Sequence, residues 1–567
     1  MKRPVNFTYW VNEVPPLGVM LISALQHVGL VCAFLPIPLA IAREAGLPAS
    51  AVVTLISVSM LALGVASILQ SINRGPVGSG LLAPSCFSGA YLAPSLLAVK
   101  TGGLSLVLGM TVFGGFIEMA LSRLLRYLRP FLPPEIAGFV VVLVGMTVGG
   151  LGVRYMLGVG APGMVTDRDV LVSGLTLALM VALSVWGRGM PRLFCALLGM
   201  IGGYALAAMY GLLTVEDLAR SMSASLVGFP AIGSLGWSFD SAFIIPFAVG
   251  AVASCLKTVG DLTTAQKIND ADWVRPDLTN IGRGTLANGI GSALSGLFGT
   301  VGMNTSSANI GVSGATGVTS RVIGYATGGL FILLAFMPKF SGFLAAMPRP
   351  VMGAALIFVA AFIFVNGLQI IASRLLDPRR TFVIGLSFIV AIAIDITPEY
   401  FRSLPQVLQP LVSSSLVAGM IAAVLLNLVF RIGARKVQRI TVSSADPDYV
   451  ALQQFIEACG AAWGARRDVV MRANQNLQQA IDTIRSTGLA RGLLEVEASF
   501  DDFDVDVRVA YDGGMLDLPE TRPTIDEVID TAQGERLLAG YMLRQFADHV
   551  STVSRDQRVT ILFKFVH

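Results

Sequence analysis

The sequence predicts a polytopic α-helical membrane protein of fourteen transmembrane segments, built as a 7+7 inverted repeat and followed by a cytoplasmic α/β domain. Three observations carry this reading. Of 567 residues, 54% are hydrophobic and only 13% are charged, about half the usual charged share of a soluble domain. Mean hydropathy is +0.71, and apolar runs recur from Met20 to Phe430, each near the roughly 20 residues that a spanning helix needs. After Arg431-Ile-Gly-Ala-Arg435-Lys436 the composition turns soluble, as in the alternating Val505, Asp506, Val507, Arg508 and Val509. Such a chain is not a soluble enzyme, a fibre or a disordered tail, and a net charge of +4 is too small to suggest a nucleic-acid partner. The expected division is a membrane domain over 1–433 and a soluble domain over 436–567.

Helices are expected near 17–42, 50–71, 103–127, 134–153, 168–187, 191–212, 240–258, 284–299, 320–338, 349–371, 380–398 and 411–431. Two further apolar segments, 79–99 and 303–317, are dense in glycine, serine and proline. They rank third and tenth, equivalent places in two repeats of seven, and an odd number per repeat makes the repeats inverted. Interrupted segments at matching positions of two halves point to a transporter's binding site. Non-helical backbone at membrane depth persists only where it is buried or lines a cavity.

Orientation follows from loop cations. Arg74, Arg123, Arg126, Arg129, Arg188, Arg192, Lys267, Arg275, Arg283, Arg321, Arg374, Arg379 and Arg380 fall on one side with both termini. The other side is poorer, with Arg43, Lys100, Arg154, Arg168, Arg220, Lys339, Arg349 and Arg402. Both termini are therefore expected in the cytoplasm, in a cell inner membrane. The five cysteines form no CxxC pair, and no cleavable leader is read at the N-terminus. No metal site, disulfide framework or resident cofactor is expected from the membrane part.

Polar or ionisable residues inside spans are expensive and are functional candidates by default. Four places stand out: Gln26 with His27 in the first helix, Lys257 with Asp261 in the eighth, Asn288 in the ninth and Asn309 in the tenth segment. Four stretches carry motifs: Gln26-His27, Ser85-Cys-Phe87-Ser, Lys257-Thr-Val-Gly-Asp261 and Ala308-Asn-Ile-Gly-Val-Ser-Gly-Ala-Thr-Gly317. In this order they resemble the motifs of the nucleobase–ascorbate transporters, the xanthine/uracil permeases.

The resemblance implies a secondary transporter, not an enzyme, that moves a purine or pyrimidine base by an elevator motion and works as a homodimer. It implies a core domain (segments 1–4 and 8–11) moving against a gate domain (5–7 and 12–14). Phe87 would stack on the base, and backbone near Phe87 and Ala308 would bond to it. Asn309 would order the site, with His27 and Gln26 in support. This chain departs from the family at three places. Lys257 stands where the family has a base-binding Glu, Ala308 where it has an acid or amide, and Asn288 where an acid is common. An ammonium only donates hydrogen bonds, whereas a carboxylate accepts them. A xanthine or urate anion is thus expected over neutral uracil.

Each residue also has a structural reading. Lys257 can pair with Asp261 one turn on, His27 can be a bonded core histidine, and Phe87 can be packing. If transport is proton-driven, Asp261 is the titrating acid left in the eighth helix.

The tail reads as strand 437–442, helices 449–459 and 468–485, strands 492–498 and 503–510, helices near 524–531 and 535–549, and strand 558–565. With Asp512-Gly513-Gly514 this order resembles the histidine-kinase-type ATP-binding fold in degenerate form. Leu516 replaces a loop glycine, and Gln475 and Gln479 stand where that fold implies a catalytic Glu and a magnesium-binding Asn. A regulatory or dimer-stabilising module that binds nucleotide without hydrolysing it is the expectation. Two alternatives compete. One is an anion carrier of the sulfate/bicarbonate type, which the stretch 308–317 argues against and Lys257 mildly favours. The other is a membrane sensor, which the scarcity of histidines (His27, His549 and His567 only) disfavours.

Overall fold

A computed structural model describes the whole chain except residues 129–132, 159–166, 215–224, 274, 373–375, 406–407, 432–435, 464, 502–503, 524–531, 556–557 and 567. Arg129, Arg220, Arg374 and Arg435, and the helix expected near 524–531, lie outside the described residues. The chain divides into two compact units, Met1–Asn427 and Leu428–His567.

The first unit is helical. Its opening elements are α1 (Leu17–Cys32), α2 (Pro36–Glu44) and α3 (Ala49–Ser71), then strand β1 (Ser85–Phe87) and the long helix α4 (Leu92–Leu128). Gly103, at φ 69°, breaks α4 in two, a backbone state that costs glycine least. Helices α5 (Pro134–Met156), α6 (Asp167–Val185), α7 (Met190–Leu193) and α8 (Cys195–Met209) follow, then α9 (Ile244–Asn269) and α10 (Leu278–Phe298). Strand β2 (Met303–Thr305) leads into α11 (Ser307–Thr316), α12 (Arg321–Ala335) and α13 (Pro338–Ala345). The unit closes with α14 (Arg349–Ala372), α15 (Pro378–Ile396), α16 (Pro398–Arg402) and α17 (Ser415–Phe430).

Several ends are written in the sequence. Asp277 caps α10 by accepting from the Thr279 and Asn280 amides, and Gly299, at φ 113°, ends it. Asp377 caps α15 with Pro378 in its first turn, where a missing N–H costs nothing.

Among the described residues, seven helices are long and apolar enough to cross a membrane, or eight if α12 and α13, bent by 85°, form one span. Helices α8 and α17 are apolar but shorter, and α10 is diluted by Asn280, Arg283 and Asn288. The protein is thus a helical, multi-pass membrane protein.

Two packed groups are visible. Helices α3, α4, α9, α10 and α12 pack on one another, as do α5, α6, α8 and α14. In the second group Gly138, Gly145 and Gly152 recur every seven residues on α5. A Cβ on Gly138 would lie 2.7 Å from the Gly367 carbonyl oxygen, and one on Gly152 would lie 3.0 Å from that of Gly353. The backbones of α5 and α14 therefore touch, the usual way small residues let helices associate in lipid.

Strands β1 and β2 pair antiparallel, with Ser85 opposite Thr305, Cys86 opposite Asn304 and Phe87 opposite Met303. The ladder continues at both ends, since the Ser88 amide donates to Gly302 (3.0 Å) and the Ser306 amide to Pro84 (2.9 Å). Each strand runs directly into a helical turn, at Gly89 and at Ser307.

The second unit carries β3 (Lys436–Ser443), α18 (Tyr449–Trp463), α19 (Arg467–Ser486), β4 (Ala490–Phe500), β5 (Asp504–Gly513), α20 (Ala532–Phe546), β6 (His549–Arg555) and β7 (Arg558–Val566). The strands form one antiparallel sheet in the order β3-β4-β5-β7-β6. Val469, Ala473, Leu477, Ala480, Ile481 and Ile484 of α19 meet Val507, Val509, Ile561 and Phe563 of the sheet in one core. Period-2 burial along β5 and β7 leaves the other sheet face more open. The sequence reading carried a helix to 549 and had no strand there. The structure ends α20 at Phe546 and starts β6 at His549. This edge strand is mostly exposed, so it lacks the apolar alternation that marks β5.

Candidate functional site

The site is built around the two paired strands. Lys257 and Asp261 lie one turn apart on α9 and form a buried ion pair, Nζ to Oδ2 2.8 Å, with side chains 6% and 3% exposed. Lys257 Nζ also donates to the Thr305 carbonyl (2.5 Å). Asp261 accepts from Thr305 Oγ1 (2.7 Å) and from Ser307 Oγ (2.6 Å). Asn366 of α14 donates to Ser307 Oγ (3.3 Å). The pair therefore braces the end of β2 and the start of α11. The structural reading of Lys257 is realised, with two of its three donors engaged.

A second cluster joins the first and tenth segments. Asn309 is fully buried in α11, and its Nδ2 reaches the His27 carbonyl at 3.5 Å. Asn309 Oδ1, His27 Nδ1 and Gln26 Nε2 are buried polar atoms without a protein partner. Leaving such a group unpaired costs about 1–3 kcal/mol. Ala308, half-buried, opens the same helix. Phe87 is fully buried opposite Met303 on the other strand.

The third cluster lies behind β2. Asn288 Nδ2 donates to the Met303 carbonyl (3.1 Å) and to Glu118 Oε2 (2.6 Å). Tyr91 Oη donates to Glu118 Oε1 (2.8 Å). Glu118 and Tyr91 were missed by the motif-led reading, although an acid in the apolar run 103–127 is itself a signal. Thr305, Ser307 and Asn366 left no comparable trace, because hydroxyls and single amides are common in such helices.

The geometry thus brings Lys257 with Asp261, Asn309 with His27, and Asn288 with Glu118, all against elements that flank the strand pair. In the second unit Gln475 is exposed, and Gln479 Nε2 points at Met542 Sδ (4.0 Å). Asp512 is exposed at the strand end. Gly513, at φ 155°, would place a Cβ 1.8 Å from the Leu489 carbonyl oxygen, so chain crowding alone requires glycine there. Leu516 is core. Among the described residues no group of three or more His, Cys, Asp or Glu could hold a metal.

The chain as a whole is similar to known permeases. Xanthine permease XanP of Escherichia coli is 31% identical over 74% of this chain and 94% of its own length. Putative purine permease CPE0397 of Clostridium perfringens is 29% identical over 75% of this chain and 94% of its own. Among solved structures, the murine anion transporter Slc26a9 covers 78% of this chain and 71% of its own, with a TM-score of 0.49 and 12% identity. The model of the xanthine/uracil permeases, described as a permease family, matches residues 18–400, the stretch that holds all three clusters, and the chain belongs to that family.

Proposed function

We propose that the protein is a secondary transporter that carries a purine base of the xanthine or urate type, as an anion, across the inner membrane. The observation that carries this is the set of unpartnered buried polar atoms on Gln26, His27 and Asn309, near an antiparallel strand pair. A planar base with both donors and acceptors matches that set. The relatives named above as xanthine and purine permeases support the same substrate class.

In this reading fourteen segments form two inverted repeats. The group containing α3, α4, α9 and α10 is the moving core, and the group containing α5, α6, α8 and α14 is the gate. Phe87 and Ala308 face the base, Lys257 biases the site toward anions, and the protein works as a homodimer with both termini in the cytoplasm. The C-terminal unit is a regulatory or dimer-stabilising module that holds nucleotide without hydrolysing it.

An uptake panel of radiolabelled purines, pyrimidines and inorganic anions, run on the parent and on Lys257→Glu and Lys257→Ala, tests this. Parent uptake of xanthine or urate that purines compete away is expected, and Lys257→Glu should lose preference for the anions. Tight uracil uptake that Lys257→Ala leaves unchanged overturns the anion assignment. Uptake of inorganic anions alone overturns the substrate class.

A further inference from the structure

Glu118 is an acid in the middle of the apolar run of α4, and its side chain is completely buried. Both of its oxygens are engaged by neutral groups. Tyr91 Oη donates to Oε1 (2.8 Å), Asn288 Nδ2 to Oε2 (2.6 Å), and Ser292 Oγ lies 3.4 Å from Oε2. No cation pairs with it among the described residues. The contrast with Asp261 is direct, because Lys257 neutralises Asp261 at 2.8 Å.

We propose that Glu118 is the acid that carries the coupling proton, standing across the helix interface from Asn288. The inference rests on the transport reading above. An uncompensated charge moved within the bilayer is expensive, whereas a carboxyl that gains and loses a proton as its surroundings change avoids that cost.

The arrangement also gives the charge state a mechanical reader. Apart from Tyr91, the donors around Glu118 also bond one carbonyl, that of Met303. Ser292 Oγ donates to it at 3.0 Å, Ser254 Oγ at 3.1 Å and Asn288 Nδ2 at 3.1 Å. The Met303 amide in turn donates to Ser292 Oγ (3.2 Å). Ionised Glu118 competes with Met303 for the single hydroxyl proton of Ser292, while the two hydrogens of Asn288 Nδ2 bond both acceptors at once. Protonated Glu118 becomes a donor itself, leaves Ser292 to Met303 and weakens the bond from Asn288. Met303 is the register partner of Phe87, so the proton on Glu118 sets the hydrogen bonding of the strand opposite the proposed base contact.

Other titratable groups leave this role open to Glu118. Tyr91 faces it from the turn before α4, and Cys255 lies beside Ser254 on α9. Lys257 and Asp261, further along α9, satisfy each other. On the neighbouring elements, Glu135 of α5 is paired with Arg380 (2.8 Å), Arg43 of α2 bonds the Met347 carbonyl, and Asp240 accepts from the Ala242 amide. Helix α10 presents only neutral groups to Glu118, namely Asn288 and Ser292.

The test uses the purified full chain in proteoliposomes, with radiolabelled xanthine, an imposed pH gradient, and exchange measured in the same vesicles. Glu118→Gln should lower the ratio of gradient-driven accumulation to exchange at least tenfold. Returning an acid to the facing helix, Glu118→Gln with Asn288→Asp, should restore most of that ratio. A Glu118→Gln protein that accumulates xanthine like the parent overturns the proposal. So does a double variant that regains exchange but not gradient-driven accumulation, which marks a structural role. Loss of accumulation in Asp261→Asn but not in Glu118→Gln assigns the proton to Asp261 and also overturns it. A parent that neither accumulates nor exchanges any base overturns the transport reading instead, and this inference falls with it.

Discussion

Lys257 Nζ and Asp261 Oδ2 stand 2.8 Å apart at 6% and 3% side-chain exposure, with the Thr305 carbonyl as the ammonium's second acceptor. Removing one partner of such a pair strands a buried charge, at a cost of about 3–5 kcal/mol, whereas removing both is far milder. Lys257→Met and Asp261→Asn should each lower the melting temperature of the detergent-purified protein by several degrees. Lys257→Met combined with Asp261→Asn should recover much of the loss. A double-mutant cycle by thermal unfolding reads this coupling, and strictly additive single losses would contradict it.

Asp261 also accepts from Thr305 Oγ1 and Ser307 Oγ. A hydrogen bond to a charged group is worth about 1.5–3 kcal/mol. Thr305→Val, nearly the same shape, should therefore destabilise the protein by about that amount. Ser67→Ala, which removes a hydroxyl that accepts from the Ser85 amide (3.1 Å), should cost less. Chemical denaturation of the two variants side by side provides the comparison.

The α5–α14 contact depends on glycine at both faces. A Cβ at Gly353 would sit 2.8 Å from the Gly152 carbonyl oxygen, and one at Gly367 would sit 2.8 Å from that of Gly138. Overpacking of this kind costs typically about 1–3 kcal/mol. Gly353→Ala and Gly367→Ala should lower stability by that much. Gly385→Ala on α15, where a Cβ meets nothing within 4 Å, should be close to neutral.

In the C-terminal unit Tyr511 is buried, its hydroxyl donates to the Gly514 carbonyl (3.0 Å), and burial pushes the phenol up to about 12. An unfolded tyrosine ionises near 10. The folded form therefore holds its proton longer, so this contribution is full below about pH 10 and disappears as pH rises through about 12. Limited proteolysis of the full chain between pH 9 and 12 should show progressive loss of protection in the C-terminal unit. Tyr511→Phe should move that loss to higher pH. An unchanged profile would remove Tyr511 from the account.

The same unit should show no ATP turnover, because the exposed Gln475 and the Met542-directed Gln479 supply neither a base nor a good magnesium ligand. Phosphate release by the purified chain, with and without magnesium, should stay at background.

Much of the fold was legible because lipid and glycine leave strong marks. Apolar runs fixed the helical membrane class, and the small-residue segments around Phe87 and Asn309 marked where helices give way to short strands. Alternating valines announced β5, while the polar edge strand His549–Arg555 gave no such period. The boundary between α20 and β6 was therefore lost. Helix α10 reads as only weakly apolar, since it buries its polar residues against other protein rather than lipid.

The sequence by itself pointed to the family, through four motifs in order, and that resemblance implied an acid at the position where Lys257 stands. It also placed Asp261 one helical turn away, which made an ion pair available. Only the tertiary structure decided that the pair is buried and braces the Thr305 carbonyl. It alone revealed that Asn288 faces Glu118 at 2.6 Å. The physical reason is distance along the chain: 170 residues separate that acid from that amide. Periodicity reports which face of a helix is apolar, not which distant helix that face will meet.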